Sequence, residues 1–127
     1  MINHDQPRTS TSDRDTLQRA WLAERAAART ARASRDAGGE WHHLERAHIL
    51  SQPMAVAHVR THLAMLIFGI RAHDRREVFG QLIRLALAGP GSLSGRYPIG
   101  NTGGAAISAL TVLPIPDDLS ALLGATP

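Results

Sequence analysis

Apolar residues recur along most of this chain at helical rather than alternating spacing. Leu17, Ala20, Trp21, Ala28 and Ala31 share one face of a first helix, which the pattern starts at Ser12 or Asp13 and stops at the pair Gly38-Gly39. Trp41, Leu44, Ala47 and Leu50 predict a second helix over residues 40–51. Gln52-Pro53 then makes a tight break, because Pro suits the first position of a helix and disfavours helical geometry just before it. A third helix is expected over 54–74, strongly apolar in its second half. A fourth runs from Arg75 or Arg76 to Ala88, with Val78, Leu82, Ile83, Leu85 and Leu87 inward, and Gly89-Pro90-Gly91 predicts its end.

Beyond that point Gly and Pro are frequent and charges few. Residues 89–127 are expected to form an irregular segment covering the bundle, since Leu93, Tyr97, Ile99, Ile107, Leu110 and Val112 need burial. Asp117 or Asp118 is placed to cap a last short helix, Leu119 to Leu123. Residues 1–12 are polar and aperiodic, which predicts a flexible N-terminal tail ahead of a single helical domain over 13–127. The fold class expected is all-α: a four-helix bundle-like domain with a helical hairpin at 40–74 and a Gly/Pro-containing C-terminal tail wrapped on it.

Composition narrows the chemistry. The chain of 127 residues has no cysteine, which excludes disulfides, thiolate metal sites and a Cys nucleophile. There is no signal-like apolar stretch at the N-terminus and no run long enough to span a bilayer, so the expectation is a cytoplasmic protein with no membrane partner. The net charge is only +3, and Arg25, Arg29 and Arg32 are diluted on the first helix by Asp13, Asp15, Glu24 and Asp36. That stripe reads as a solvated face rather than a nucleic-acid contact.

Glu45 and His48 are three residues apart on the second helix, and His58 and His62 four apart on the third. Each pair therefore lies on one side of its helix. If the two helices fold back at Gln52-Pro53, His48 lies about 6 Å and Glu45 about 10 Å before the break, with His58 about 8 Å and His62 about 14 Å after it. Three imidazoles and one carboxylate then converge as a mononuclear site for zinc, copper, nickel, cobalt or iron, and not for calcium or magnesium, which prefer oxygen shells. Structural histidines, or acid/base catalysis by the same residues without metal, stay open as alternatives, as does a metalloenzyme with a free coordination position or an Arg-rich interaction module. His42 is placed to enlarge the site, His73 to end a helix in solvent, and His4 falls in the tail. Gly95 to Gly104 reads as a structural turn without the P-loop ending, and a homodimer through the apolar C-terminal segment is left open.

LERAHILSQP (Leu44 to Pro53), the HxxxHxxML run (His58 to Leu66), GQLIRLALAGPGS (Gly80 to Ser92), GRYPIGNTGG (Gly95 to Gly104) and PIPDDL (Pro114 to Leu119) occur together here. In these blocks, over roughly residues 40–123, the chain resembles a small bacterial family of unknown function, domain of unknown function thirty-seven oh three. The resemblance implies metal handling over general catalysis and assigns no role to Glu45, His48, His58 or His62.

Overall fold

In the computed structural model, which describes residues 11–94 and 113–124, the described chain consists of five helices and no strand. They are α1 (Thr11–Ala33), α2 (Ala37–Ser51), α3 (Ala55–Arg71), α4 (Arg75–Ser94) and α5 (Asp117–Leu123). α1 packs along α2 and α3 along α4, the two hairpins meet through α2 and α3, and α5 rests on α2 and α1. The all-α bundle expected from the periodicity is the fold observed.

The two hairpins turn by the same device. Two residues beyond the end of α1 and of α3, Arg35 and His73 turn the chain in the left-handed region, at φ 59° and 54°. In each case the following Asp donates its amide back across the last turn, Asp36 to the Ala31 carbonyl and Asp74 to the Gly69 carbonyl, both at 2.9 Å. That same Asp then caps the next helix. Its carboxylate accepts the amide of Gly39 at 2.9 Å at the start of α2, and of Glu77 at 3.0 Å at the start of α4.

This corrects the role of Gly38-Gly39, which lie inside the first turn of α2 rather than terminating α1. A Cβ at Gly39 would collide with the Asp36 carboxylate, so the glycine serves the cap. It also places the start of α1 at Thr11 and the end of α3 at Arg71, three residues short of the expected Asp74. α4 likewise runs through Gly89-Pro90-Gly91 to Ser94. A proline removes one backbone donor and strains one turn, a local penalty that does not by itself end a helix. α5 has Pro116, not Asp117 or Asp118, at its N-cap, and Asp118 instead pairs with Arg46 of α2.

The core follows the predicted faces of α1 and α2. Leu17, Trp21, Ala47, Ile49, Leu50, Ala57 and Leu119 form one buried cluster, and Ala28, Leu44 and Met65 a second, flanked by Trp41 and Phe68. Trp21 donates its indole N–H to Thr61 Oγ1 at 2.9 Å, which ties α1 to the middle of α3. The polar face of α2 meets α1 through Glu24, which accepts from Arg46 and contacts His43 Nδ1 at 2.8 and 2.7 Å.

α4 departs from its expected face. Leu82 and Ile83 are about half exposed, at 52% and 49%, and the residues turned inward are Glu77, Gln81 and Arg84. These three recur at i, i+4 and i+7, the same helical period carried by polar side chains. Gly69 on α3 lies against Glu77, where an added Cβ would sit 3.4 Å from its side chain, so the two helices approach closely at that level. Residues 1–10 of the expected N-terminal tail, with His4, the Gly95 to Gly104 turn and the apolar residues Tyr97, Ile99, Ile107, Leu110 and Val112 lie outside the described residues, as does the side-chain placement of Leu93 on α4. So does the inward placement of Leu87.

Candidate metal centre

His48 lies in the last turn of α2, and His58 and His62 lie one turn apart in the first half of α3. The connection between the two helices is as short as the Gln52-Pro53 break requires: Met54 donates its amide to Ser51, and His58 donates to Met54 to begin the new helical ladder. Ser51 in turn donates its hydroxyl to the His48 carbonyl at 2.8 Å, fixing the end of α2. This tight reversal brings the three imidazoles to one level.

All three are buried, with 3%, 7% and 2% of their surface exposed for His48, His58 and His62. Their Nε2 atoms form a nearly equilateral triangle: 3.0 Å from His48 to His62, 3.0 Å from His48 to His58 and 3.1 Å from His58 to His62. The rings meet edge to face or tilted rather than stacked, so each points its ring-edge nitrogen at the common centre.

Such a triangle cannot be closed by hydrogen bonds alone. A ring nitrogen in an uncharged imidazole is either a donor or an acceptor. With three nitrogens and two states, at least two must be alike, so at least one side of the triangle sets proton against proton or lone pair against lone pair. A cation shared by three lone pairs removes the conflict. The three nitrogens would together hold an ion such as zinc, which imidazole binds at about 2.0–2.1 Å. Tetrahedral bonds of that length place nitrogens about 3.3 Å apart, a few tenths of an ångström wider than observed.

The proton position on His62 follows from its outer partners. Glu77 Oε1 accepts from the amide nitrogen of Gln81 at 2.6 Å, since a carboxylate has no proton to give. The Gln81 amide oxygen therefore faces the other way, onto His62 Nδ1 at 2.6 Å, and must accept from it. His62 carries its proton on Nδ1 and turns the Nε2 lone pair into the triangle. A hydrogen-bond acceptor on the outer ring nitrogen fixes the tautomer and orientation of the imidazole, as it does for histidines that hold metals. Burial pushes the His62 pKa down to about 4; the Gln81 hydrogen bond opposes this, while the charges of His58 and Arg84 add to it. The ring is neutral at physiological pH.

The structure thus gathers His48, His58 and His62, three of the four residues expected, with ligand atoms within 4.8 Å of one another. Glu45 is half-buried one turn earlier on α2 and is not in that group. An i, i+3 spacing leaves two side chains on the same side of a helix but offset around it. His42 is exposed and stands edge-on to His43, and His73 is exposed at the α3 terminus as expected. Glu77, Gln81 and Arg84 were not legible as part of the site. Their signal was a polar i, i+4, i+7 series, masked by the more apolar neighbours Phe79, Leu82 and Ile83.

Residues 15–123 match the family described as protein of unknown function DUF3703. The chain belongs to this family. The match extends across the resemblance noted at 40–123 and takes in nearly all of α1 as well, so the Arg-bearing helix is part of the DUF3703 unit. No curated protein and no solved structure matches the chain. No helix among the described residues is long and apolar enough to cross a membrane.

Proposed function

We propose that this protein binds a divalent transition-metal ion through Nε2 of His48, His58 and His62, in metal handling or resistance. The observation that carries the reading is the buried Nε2 triangle, whose three lone-pair or proton contacts cannot all be favourable without a shared cation. The Glu77–Gln81–His62 series supports it by presenting a lone pair, not a proton, to the centre. An all-imidazole set suits zinc, copper, nickel, cobalt or iron. Glu45 is retained as a fourth donor that a side-chain rotation of α2's polar edge would supply.

Cobalt(II) titration tests the reading. Binding by three imidazoles is expected to give visible d–d absorption that saturates and is lost in His62→Ala. A flat titration, or one unchanged by that substitution, contradicts it.

A second reading rests on the same donor count. Three protein nitrogens leave a coordination position for water or substrate, as in catalytic zinc sites, which would make the centre a mononuclear metalloenzyme. Exchange of an added azide or cyanide onto the cobalt form distinguishes an open position from a closed one.

A further inference from the structure

A groove of about 290 Å³ lies between α1 and α3, with Glu40 and Leu44 of α2 also lining it. Its floor is apolar, formed by Ala28, Leu44 and Ala64. Its rim carries five guanidinium groups, Arg25, Arg29 and Arg32 from α1 and Arg60 and Arg71 from α3. The one carboxylate lining it is Glu40, and that is held by Arg71 through a two-pronged pair at 2.9 and 2.7 Å. Arg25, Arg29, Arg32 and Arg60 form no ion pair among the described residues.

This concentration of charge is unusual for a chain with a net charge of only +3. The neutralising groups are elsewhere: Glu24 and Asp118 serve Arg46, and Asp13 and Asp15 stand at the start of α1. Like charges on facing helices repel, and Arg25 feels it: burial, then the charges of Arg29 and Arg60, hold its guanidinium below the usual arginine range. The two helices are nevertheless tied at this end, where Arg25 donates to the Arg60 carbonyl at 3.4 Å. Arg25 and Arg60 also both lie over the Trp21 ring, at 5.7 and 5.6 Å from its centre.

We infer that this groove binds a small organic phosphate, its oxyanion bridging the Arg29 and Arg60 sides and its apolar body on the Ala28–Leu44–Ala64 floor. Guanidinium forks match phosphate oxygens two at a time, and a phosphate monoester carries close to two charges near neutral pH. A single carboxylate would offset less of the repulsion. The volume exceeds what one inorganic phosphate fills, and the floor offers it nothing, so the organic portion contributes binding. This inference is independent of the metal reading, because none of the groove residues belongs to the histidine triangle.

Trp21 is the reporter. The chain has two tryptophans, so the test uses Trp41→Phe protein titrated with phenyl phosphate, inorganic phosphate and a short single-stranded RNA. Phenyl phosphate is expected to change Trp21 emission saturably and to bind about tenfold tighter than inorganic phosphate, the added ring supplying apolar contact. Arg29→Gln with Arg60→Gln, both at exposed positions, should weaken it by about tenfold or more while helicity is unchanged. Arg29→Lys with Arg60→Lys, which keeps the charge and loses the forks, should fall between. No saturable response to phenyl phosphate, or an equal response in the glutamine double variant, overturns the inference. So does saturation by RNA alone with steep salt dependence, which would assign the groove to a nucleic-acid backbone.

Discussion

Gln81 on α4 accepts a hydrogen bond from Nδ1 of His62 on α3, and so determines which nitrogen of that ring faces His48 and His58. A residue outside the histidine triangle thereby sets the proton position of one inside it. Replacing it should separate the two roles. Gln81→Leu is expected to lower metal affinity by about 10–100-fold, the usual cost of losing an outer-shell partner, and to leave residual binding that His62→Ala abolishes. Competition against a chromophoric chelator measures both; equal loss in the two variants would place Gln81 in the fold rather than the site.

Burial of His62 also makes the protein acid-sensitive. The His62 pKa is about 4 in the folded state and about 6.5 when unfolded, so between these values the unfolded chain holds the extra proton. Its contribution is fully present above about pH 6.5 and is lost progressively as the pH falls toward 4, up to about 3 kcal/mol for a group this buried. Urea unfolding of chelator-treated protein across that window checks the slope. His62→Gln should flatten it, and an unaltered slope would assign the acid sensitivity to other groups.

Much of this was readable from residue order. The faces of α1 and α2 followed from Leu17, Trp21, Leu44, Ala47 and Leu50, and the hairpin from Gln52-Pro53, because helical period and proline geometry are local properties. The convergence of His48, His58 and His62 followed from rise per residue once the reversal was assumed. What stayed hidden depends on partners distant in sequence. Glu77, Gln81 and Arg84 are polar, and their burial becomes favourable only through partners such as His62, which holds Gln81, and Gln81, which holds Glu77; without that knowledge, Leu82 and Ile83 are the better candidates for the core. The caps were hidden for a different reason. Arg35 and His73 occupy a left-handed conformation that composition does not announce for such residues, so Gly38-Gly39 drew the helix boundary instead.

The cap at the start of α2 gives a prediction opposite to helix propensity. On an exposed helix, Gly→Ala gains up to about 1 kcal/mol, but at Gly39 the new methyl meets the Asp36 carboxylate. Gly39→Ala is expected to destabilise the fold, as is Asp36→Ala by about 1 kcal/mol through loss of the cap. The two losses should not add, since either change dismantles the same hydrogen bond. Thermal unfolding of the two single variants and the double variant checks this; a stabilised Gly39→Ala protein would show that the cap is dispensable.

Trp21 links the first hairpin to the second through Thr61, which lies between His58 and His62 on α3. Trp21→Phe removes the indole donor and part of a fully buried ring and should cost about 1–3 kcal/mol. Because Thr61 still donates to the Ala57 carbonyl at 2.8 Å, the α3 backbone should hold and metal affinity change little. A large loss of affinity in Trp21→Phe would mean that α1 positions the triangle directly.

The most direct measurement is the metal content of untagged protein after equilibrium dialysis against zinc, run beside His48→Ala, His58→Ala and His62→Ala. About one equivalent is expected in the parent, with loss of high-affinity binding in each variant, since two imidazoles do not hold the ion as three do. A parent that stays empty, or variants that retain the full equivalent, would contradict the metal reading and return the three histidines to a structural role.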